Sequence, residues 1–230
     1  MAKGKLRDAD GSSRSWAVET SSGPAEVIAE AGPGAASFLL VLTHGAGGGV
    51  GAPDLLAVRD VAVRLGGVVA RVTQPYRVRG ARSPGSADRQ DAAWLEVIAL
   101  LCEAMDQAAG PAPLIQGGRS NGARVACRTA GAAGAAGVIA LAFPLHPPGR
   151  PDVSRADELR VPGRKVLVIN GERDPFGVPG RSPGRHVVVL PGETHALSRH
   201  PEAVGAAARS WLRAILRPVP TAGGRNGTHG

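Results

Sequence analysis

The chain has 230 residues, enough for one medium domain with a sizeable core. Hydrophobic residues make up 43% but aromatics only 3%, so alanine and glycine must carry much of the packing. The net charge is +8, yet only Lys3, Lys5 and Lys165 of the 27 basic residues are lysines. That excess of arginine, with so much alanine and glycine, fits coding in a GC-rich genome. Scattered arginines without stacking rings exclude a nucleic-acid surface, which needs a basic stripe and aromatics.

Cys102 and Cys127 fall in apolar, helical contexts and form neither a disulfide framework nor a metal pattern. The N-terminus has no apolar run of the signal-peptide kind, and no stretch approaches ~18 uninterrupted apolar residues. A soluble, cytoplasmic protein without a membrane partner is expected.

Residues 1–24 are polar and charged and read as a flexible arm, with an edge strand around Trp16–Val18. Ala25–Glu30 is a short strand. Ser37 to Thr43 is continuously apolar, as a parallel strand buried on both faces requires. It runs into His44-Gly45-Ala46-Gly47-Gly48-Gly49. Asp54 to Arg64 has helical spacing, and Val68–Thr73 is the next strand. An arginine-rich loop, Arg77 to Arg82, follows it. Ser86 or Asp88 is placed to cap a helix whose Trp94, Ile98, Leu101 and Met105 form a core-facing stripe.

Leu114 to Val125 reads as a strand, a tight turn and a helix continuing to about Ala130. Gly137–Phe143 is another buried strand. Pro144–Arg160 is an irregular, proline-rich excursion. Lys165–Asn170 and His186–Leu190 are strands, Pro201–Leu216 is a closing helix, and 218–230 is a tail expected to be disordered. Strands alternating with helices from 25 to 217 predict one α/β domain, with a mostly parallel central sheet and helices on both faces. In such sheets, sites lie at the carboxyl ends of the strands. His44, Gln74, Ser120, Asp174 and His195 all fall just past a strand.

Gly118-x-Ser120-x-Gly122 has the pattern of a nucleophile elbow. A serine on a strained strand-to-helix turn exposes its hydroxyl, and the flanking glycines remove side chains that would collide. Serine needs a base, and the base needs a carboxylate to orient it. His186 begins a strand, His200 precedes a helix, His229 lies in the tail and His146 in the excursion. His195, in the loop after the last strand, is read as the base. Asp174 is read as the acid, ahead of Glu172. The order Ser120, Asp174, His195 is that of α/β-hydrolases. The oxyanion that forms on attack needs two N–H donors. Asn121 supplies one, and Ala46 the other, with Gly45 or Gly47 as alternatives. His44, Gly45, Gly47, Arg77 and His146 are expected to line the substrate. Arg77, Arg79 and Arg82 stand where they could recruit an anion.

Gly47-x-Gly49-x-x-Ala52 also matches a dinucleotide fingerprint, but the following strand ends Thr73-Gln74-Pro75, with no carboxylate for a ribose. No Gly-Lys-Ser/Thr follows either. A nucleotide site is not expected.

With these residues assembled, the chain resembles the α/β-hydrolase superfamily from about Ala25 to Leu216. More narrowly, it resembles the small, lid-less group near dienelactone hydrolase that includes hydrolase-like proteins of the KANL/Tex type. The marks are Leu42 to Gly48, Gly117-Gly118-Arg119-Ser120, Phe143 to Gly149, Asn170 to Phe176 and Gly192 to His195. The resemblance implies Ser120, Asp174 and His195 as a catalytic triad, with no metal and no organic cofactor. Many relatives have a bulkier apolar residue and two glycines after the serine, where this chain has Asn121-Gly122-Ala123. The expected activity is hydrolysis of a small ester, thioester or lactone through an acyl-enzyme on Ser120. A binding or scaffold domain on the same fold, and an acyltransferase with the same triad, are the alternatives. No segment is long enough for a large helical lid.

Overall fold

A computed structural model describes residues 13–161 and 163–217. Eight strands form one sheet in the order β1-β2-β4-β3-β5-β6-β7-β8. They are β1 (Arg14–Val18), β2 (Ala25–Ala31), β3 (Phe38–Thr43), β4 (Gly67–Thr73), β5 (Leu114–Arg119), β6 (Gly137–Leu141), β7 (Lys165–Gly171) and β8 (Arg185–Leu190). β1 pairs antiparallel with β2, and β2 antiparallel with β4; every pairing from β4 to β8 is parallel. The helices are α1 (Pro53–Arg64), α2 (Pro75–Val78), α3 (Ala87–Ala109), α4 (Asn121–Thr129) and α5 (Pro201–Ile215). No helix among the described residues is long and apolar enough to cross a membrane.

The unbroken apolar run of β3 has its reason in the layering. Successive side chains of a strand point to opposite faces. Leu39 and Val41 join one core with Trp94, Ile98 and Leu101 of α3 and Ala123 and Ala126 of α4. Phe38, Leu40 and Leu42 join the other, with Leu55 and Val58 of α1 and Val204 and Leu212 of α5. Both faces of the strand are therefore dry, and fully burying each such side chain stabilises by roughly 1.5–3 kcal/mol. The one polar side chain in the middle of β5, Gln116, is fully buried and fully used. Its Oε1 accepts from Trp94 Nε1 at 2.7 Å, and its Nε2 donates to the Ala126 carbonyl at 3.0 Å. That pins α3 and α4 to the strand that carries Ser120.

The described part of the expected arm belongs to the sheet. Arg14–Val18 pairs in register with Ala25–Ala29, because Trp16 and Val18 have an apolar face to cover. The turn between β1 and β2 is tied down as well. The Ser21 N–H donates to Glu96 Oε2 at 2.7 Å, and Arg79 Nη1 donates to the Ser22 carbonyl. Residues 1–12, and 218–230 with the tail expected there, lie outside the described residues. The arginine-rich loop starts as a helical turn, α2, with Pro75 at its first position. Ser86 precedes α3 but makes no side-chain cap. Between β6 and β7 the chain is irregular apart from a single 3-10 turn, Ala156–Leu159. No helical lid is found among the described residues.

Candidate active site

Ser120 follows β5 directly and opens α4. Its backbone is at φ 53 and ψ −112, a left-handed region that side chains other than glycine rarely adopt. The chain bends this sharply because strand, turn and helix are almost in contact. A Cβ on Gly118 would lie 2.7 Å from the Gly122 carbonyl carbon and 2.8 Å from the Thr43 oxygen. One on Gly122 would lie 2.6 Å from the His44 oxygen. The Ser120 N–H donates to the Leu141 carbonyl at 2.9 Å, and its own carbonyl accepts from Arg124 at 3.3 Å.

His195 stands in the loop after β8. Its Nε2 lies 2.9 Å from Ser120 Oγ, and its Nδ1 lies 2.9 Å from Asp174 Oδ2. A carboxylate can only accept, so the ring proton sits on Nδ1 and Nε2 is left to accept from the serine hydroxyl. Asp174, whose side chain is wholly buried, also accepts from Asn170 Nδ2 at 3.1 Å and from the Phe176 N–H at 2.9 Å. The ring of Phe176 meets His195 edge-on, with 4.6 Å between centroids. Glu172, the alternative acid, instead accepts from the Gly192 N–H at 2.9 Å on the exposed side of the loop.

The loop after β3 lies against the serine. A Cβ on Gly45 would be 3.2 Å from Ser120 Cβ. Ala46 is half-buried, Gly47 exposed. The N–H groups of Ala46 and Asn121 take no acceptor among the described residues. For Asn121, the first residue of α4, this follows from helix geometry. Fold and site together point to one family. A model of the alpha/beta hydrolase domain matches residues 36–182.

The chain belongs to the α/β-hydrolase family. A lid-less α/β serine hydrolase from Xanthomonas campestris has a similar structure, with a TM-score of 0.72 and 21% identity over 90% of this chain and 97% of that one. An α/β serine hydrolase homologue from Coxiella burnetii gives 0.71 and 16% over 86% and 97%. A protein of unknown function from Agrobacterium tumefaciens, described as an α/β hydrolase, gives 0.71 and 13% over 90% and 100%. No curated protein sequence matches the chain.

In this α/β hydrolase, His44 departs from its expected place against the substrate. It is fully buried, and both ring nitrogens are engaged. Nδ1 donates to the Gly45 carbonyl at 2.8 Å, and Nε2 accepts from the Gln74 N–H at 3.0 Å. Burial holds its pKa below the usual value, with the charge of Arg77 adding to the effect. A neutral His44 thus fixes the loop that carries Gly45 and Ala46 to the end of β4. Arg77 sits half-buried in α2 beside it, and Arg79 is engaged by Ser22. His146 is set on Phe176 rather than on Ser120. Its N–H donates to the Phe176 carbonyl at 2.9 Å, and its Nδ1 donates to the Val153 carbonyl at 3.0 Å.

Several supporting residues escaped the sequence reading. Asn170 clamps the end of β6 to the acid loop, exchanging bonds of 2.9 and 3.0 Å with the Phe143 backbone. Glu193 is almost fully buried and accepts from the N–H groups of Arg199 and His200 at 2.8 and 2.6 Å, closing the loop around His195. Arg119, the residue before the serine, donates from Nη2 to the His195 carbonyl at 2.7 Å. Its Nε lies 3.0 Å from Oδ2 of Asp54, a wholly buried carboxylate at the start of α1. Arg119's position in the Gly-x-Ser-x-Gly motif was the available signal; for Asp54 there was none. The Asn121 amide donates to Gln90 Oε1 of α3 at 2.6 Å. Among the described residues no three His, Cys, Asp or Glu side chains group as a metal ion would need.

Proposed function

We propose that this α/β hydrolase cleaves small esters, thioesters or lactones through an acyl-enzyme on Ser120. The observation that carries the reading is the unbroken hydrogen-bonded chain from Ser120 through His195 to Asp174, two contacts of 2.9 Å on a strained serine. Ser120 Oγ attacks the carbonyl carbon as His195 Nε2 takes its proton. The negative charge on the carbonyl oxygen is held by the N–H groups of Asn121 and Ala46. His195 then protonates the leaving alcohol or thiol, and the carbon–oxygen or carbon–sulfur bond breaks. Water attacks the acyl-enzyme with His195 again as base, the acid leaves and Ser120 regains its proton. Asp174 holds the ring in the required tautomer and stabilises it while it is charged. Each oxyanion donor is worth on the order of 100- to 1000-fold in rate. The exposed, lid-less surroundings suit small or protruding acyl groups.

Treatment with a fluorophosphonate, read by intact mass and peptide mapping, tests this. A single adduct on Ser120 is expected. It is absent in Ser120→Ala and on the order of 1000-fold slower to form in His195→Ala. A folded protein that does not label would return the chain to the scaffold reading.

A further inference from the structure

A small pocket of about 110 Å³ lies between α2, the start of α3 and the turn joining β1 to β2. We propose that it is the acyl-chain subsite of this hydrolase, selecting short acyl groups that end in an oxygen acceptor, a hydroxyl or a carboxylate. The proposal rests on the reading of Ser120 as nucleophile.

Position comes first. Two glutamines that line the pocket are bonded to the supports of the two oxyanion donors. Gln90 Oε1 accepts from the side chain of Asn121 at 2.6 Å, and its Nε2 is held by the carbonyls of Gly85 and Ser86 at 3.2 and 3.1 Å. The Gln74 N–H donates to His44, which in turn holds Gly45. These bonds tie the pocket wall to the groups proposed to receive the acyl carbonyl oxygen, and the subsite reading runs the acyl chain from that carbon into this cavity.

Size and chemistry come next. At roughly 30 Å³ for a water-sized group, the volume takes about four heavy atoms. Tyr76 lines the pocket and is only 5% exposed, yet its hydroxyl has no partner among the described residues. An orphaned buried hydroxyl costs roughly 1–3 kcal/mol, which an acceptor on a ligand removes. Burial pushes the Tyr76 pKa up to about 12, so the group is a donor throughout the working range of pH. Among the described residues the charged side chains in the lining are Arg79 and Arg89, with no carboxylate among them. The potential in the pocket favours an oxygen with partial or full negative charge.

Three ethyl esters of matched shape separate the outcomes, with the full chain and hydrolysis followed by proton NMR. They are ethyl 3-methylbutanoate, its isostere ethyl 3-hydroxybutanoate, and monoethyl malonate. We expect kcat/KM for one or both oxygen-bearing esters to exceed the apolar isostere by about 10-fold, the worth of one good hydrogen bond. Tyr76→Phe brings that ratio to about 1. If only the malonate is preferred, the acceptor is a carboxylate, and Arg89→Gln lowers that preference; if the neutral hydroxyacyl ester is preferred equally, the hydroxyl of Tyr76 decides. Equal rates on all three esters, or a preference that survives in Tyr76→Phe with an unchanged thermal transition, overturn the proposal. Labelling of Ser120 by fluorophosphonate in the same samples keeps the two readings apart. A labelled enzyme without the preference overturns the subsite alone, and an unlabelled one overturns both. Ala93→Leu, which fills the pocket from α3, gives a second check by lowering kcat/KM for every branched ester relative to ethyl acetate.

Discussion

The two loops that meet at the site are held in opposite ways. The turn around Ser120 is placed by what is missing. Gly118 and Gly122 let the backbone of β5 and α4 press on the backbone at the end of β3, with only the Thr43 methyl beside them. The loop around His195 is placed by what is added. Glu193 takes two backbone N–H groups, Arg119 takes the His195 carbonyl, and Asn170 holds the carboxylate on the far side. A nucleophile needs one strained position that hardly moves. A base must stay aligned while it gains and loses a proton, and a net of hydrogen bonds tolerates that change of charge. The difference predicts different failures for the two loops.

The largest effect should come from the added side. Asp174→Asn keeps the shape but reverses the hydrogen bond to Nδ1, so the ring presents the wrong nitrogen to Ser120. A fall on the order of 10,000-fold in kcat is expected, with the thermal transition little changed, read from ester hydrolysis and a melting curve. On the other side, Gly122→Ala should act through the fold. A Cβ 2.6 Å from the His44 oxygen cannot be accommodated without moving β3 or α4. A loss of about 3 kcal/mol in urea unfolding is expected, with labelling of Ser120 reduced in the protein that remains folded. A variant of normal stability would mean that the tight approach is not what shapes the turn.

The smallest effect concerns the ion pair that joins the two loops to α1. Burial pushes the Asp54 carboxyl up to about 6 from its usual 3.8, against the pull of Arg119. The folded chain keeps a proton there at pH values where the unfolded chain has lost it. Asp54's contribution to stability is thus full below about pH 4 and is lost as the pH rises through about 6. Subtracting the urea stability of Asp54→Asn from that of the wild type should leave a difference that falls across this window and is flat above it. A flat difference throughout would mean that the pull of Arg119 balances burial and leaves the carboxyl at its usual pKa.

Much of this was legible in the sequence because it is written in periodicity and in glycine. From Phe38 to Leu42 the chain has no polar residue, as a strand buried on both faces requires, and β3 is that strand. The stripe Trp94, Ile98, Leu101 and Met105 is buried as its spacing requires. Ser120, Asp174 and His195 could be picked because each follows a strand, and the structure brings their side chains into one hydrogen-bonded chain. Long-range polar contacts were not legible. Asp54 and Arg119 are 65 residues apart, and nothing local marks them as a pair. His44 looks like a site residue by position. Only the fold reveals that both its nitrogens are turned to the backbone. The edge strand β1 was partly visible at Trp16 and Val18, but its polar flanks gave it the composition of an arm.

The irregular link between β6 and β7 has a kinetic consequence. With no helical cover among the described residues to swing aside, substrate capture should need no opening step, so turnover should not be gated by conformational exchange and should show no jump when substrate passes from monomer to micelle. The same openness would leave the carbonyl of the proposed acyl-enzyme within reach of bulk water, so added alcohol acceptors are expected to divert little of it from the free acid.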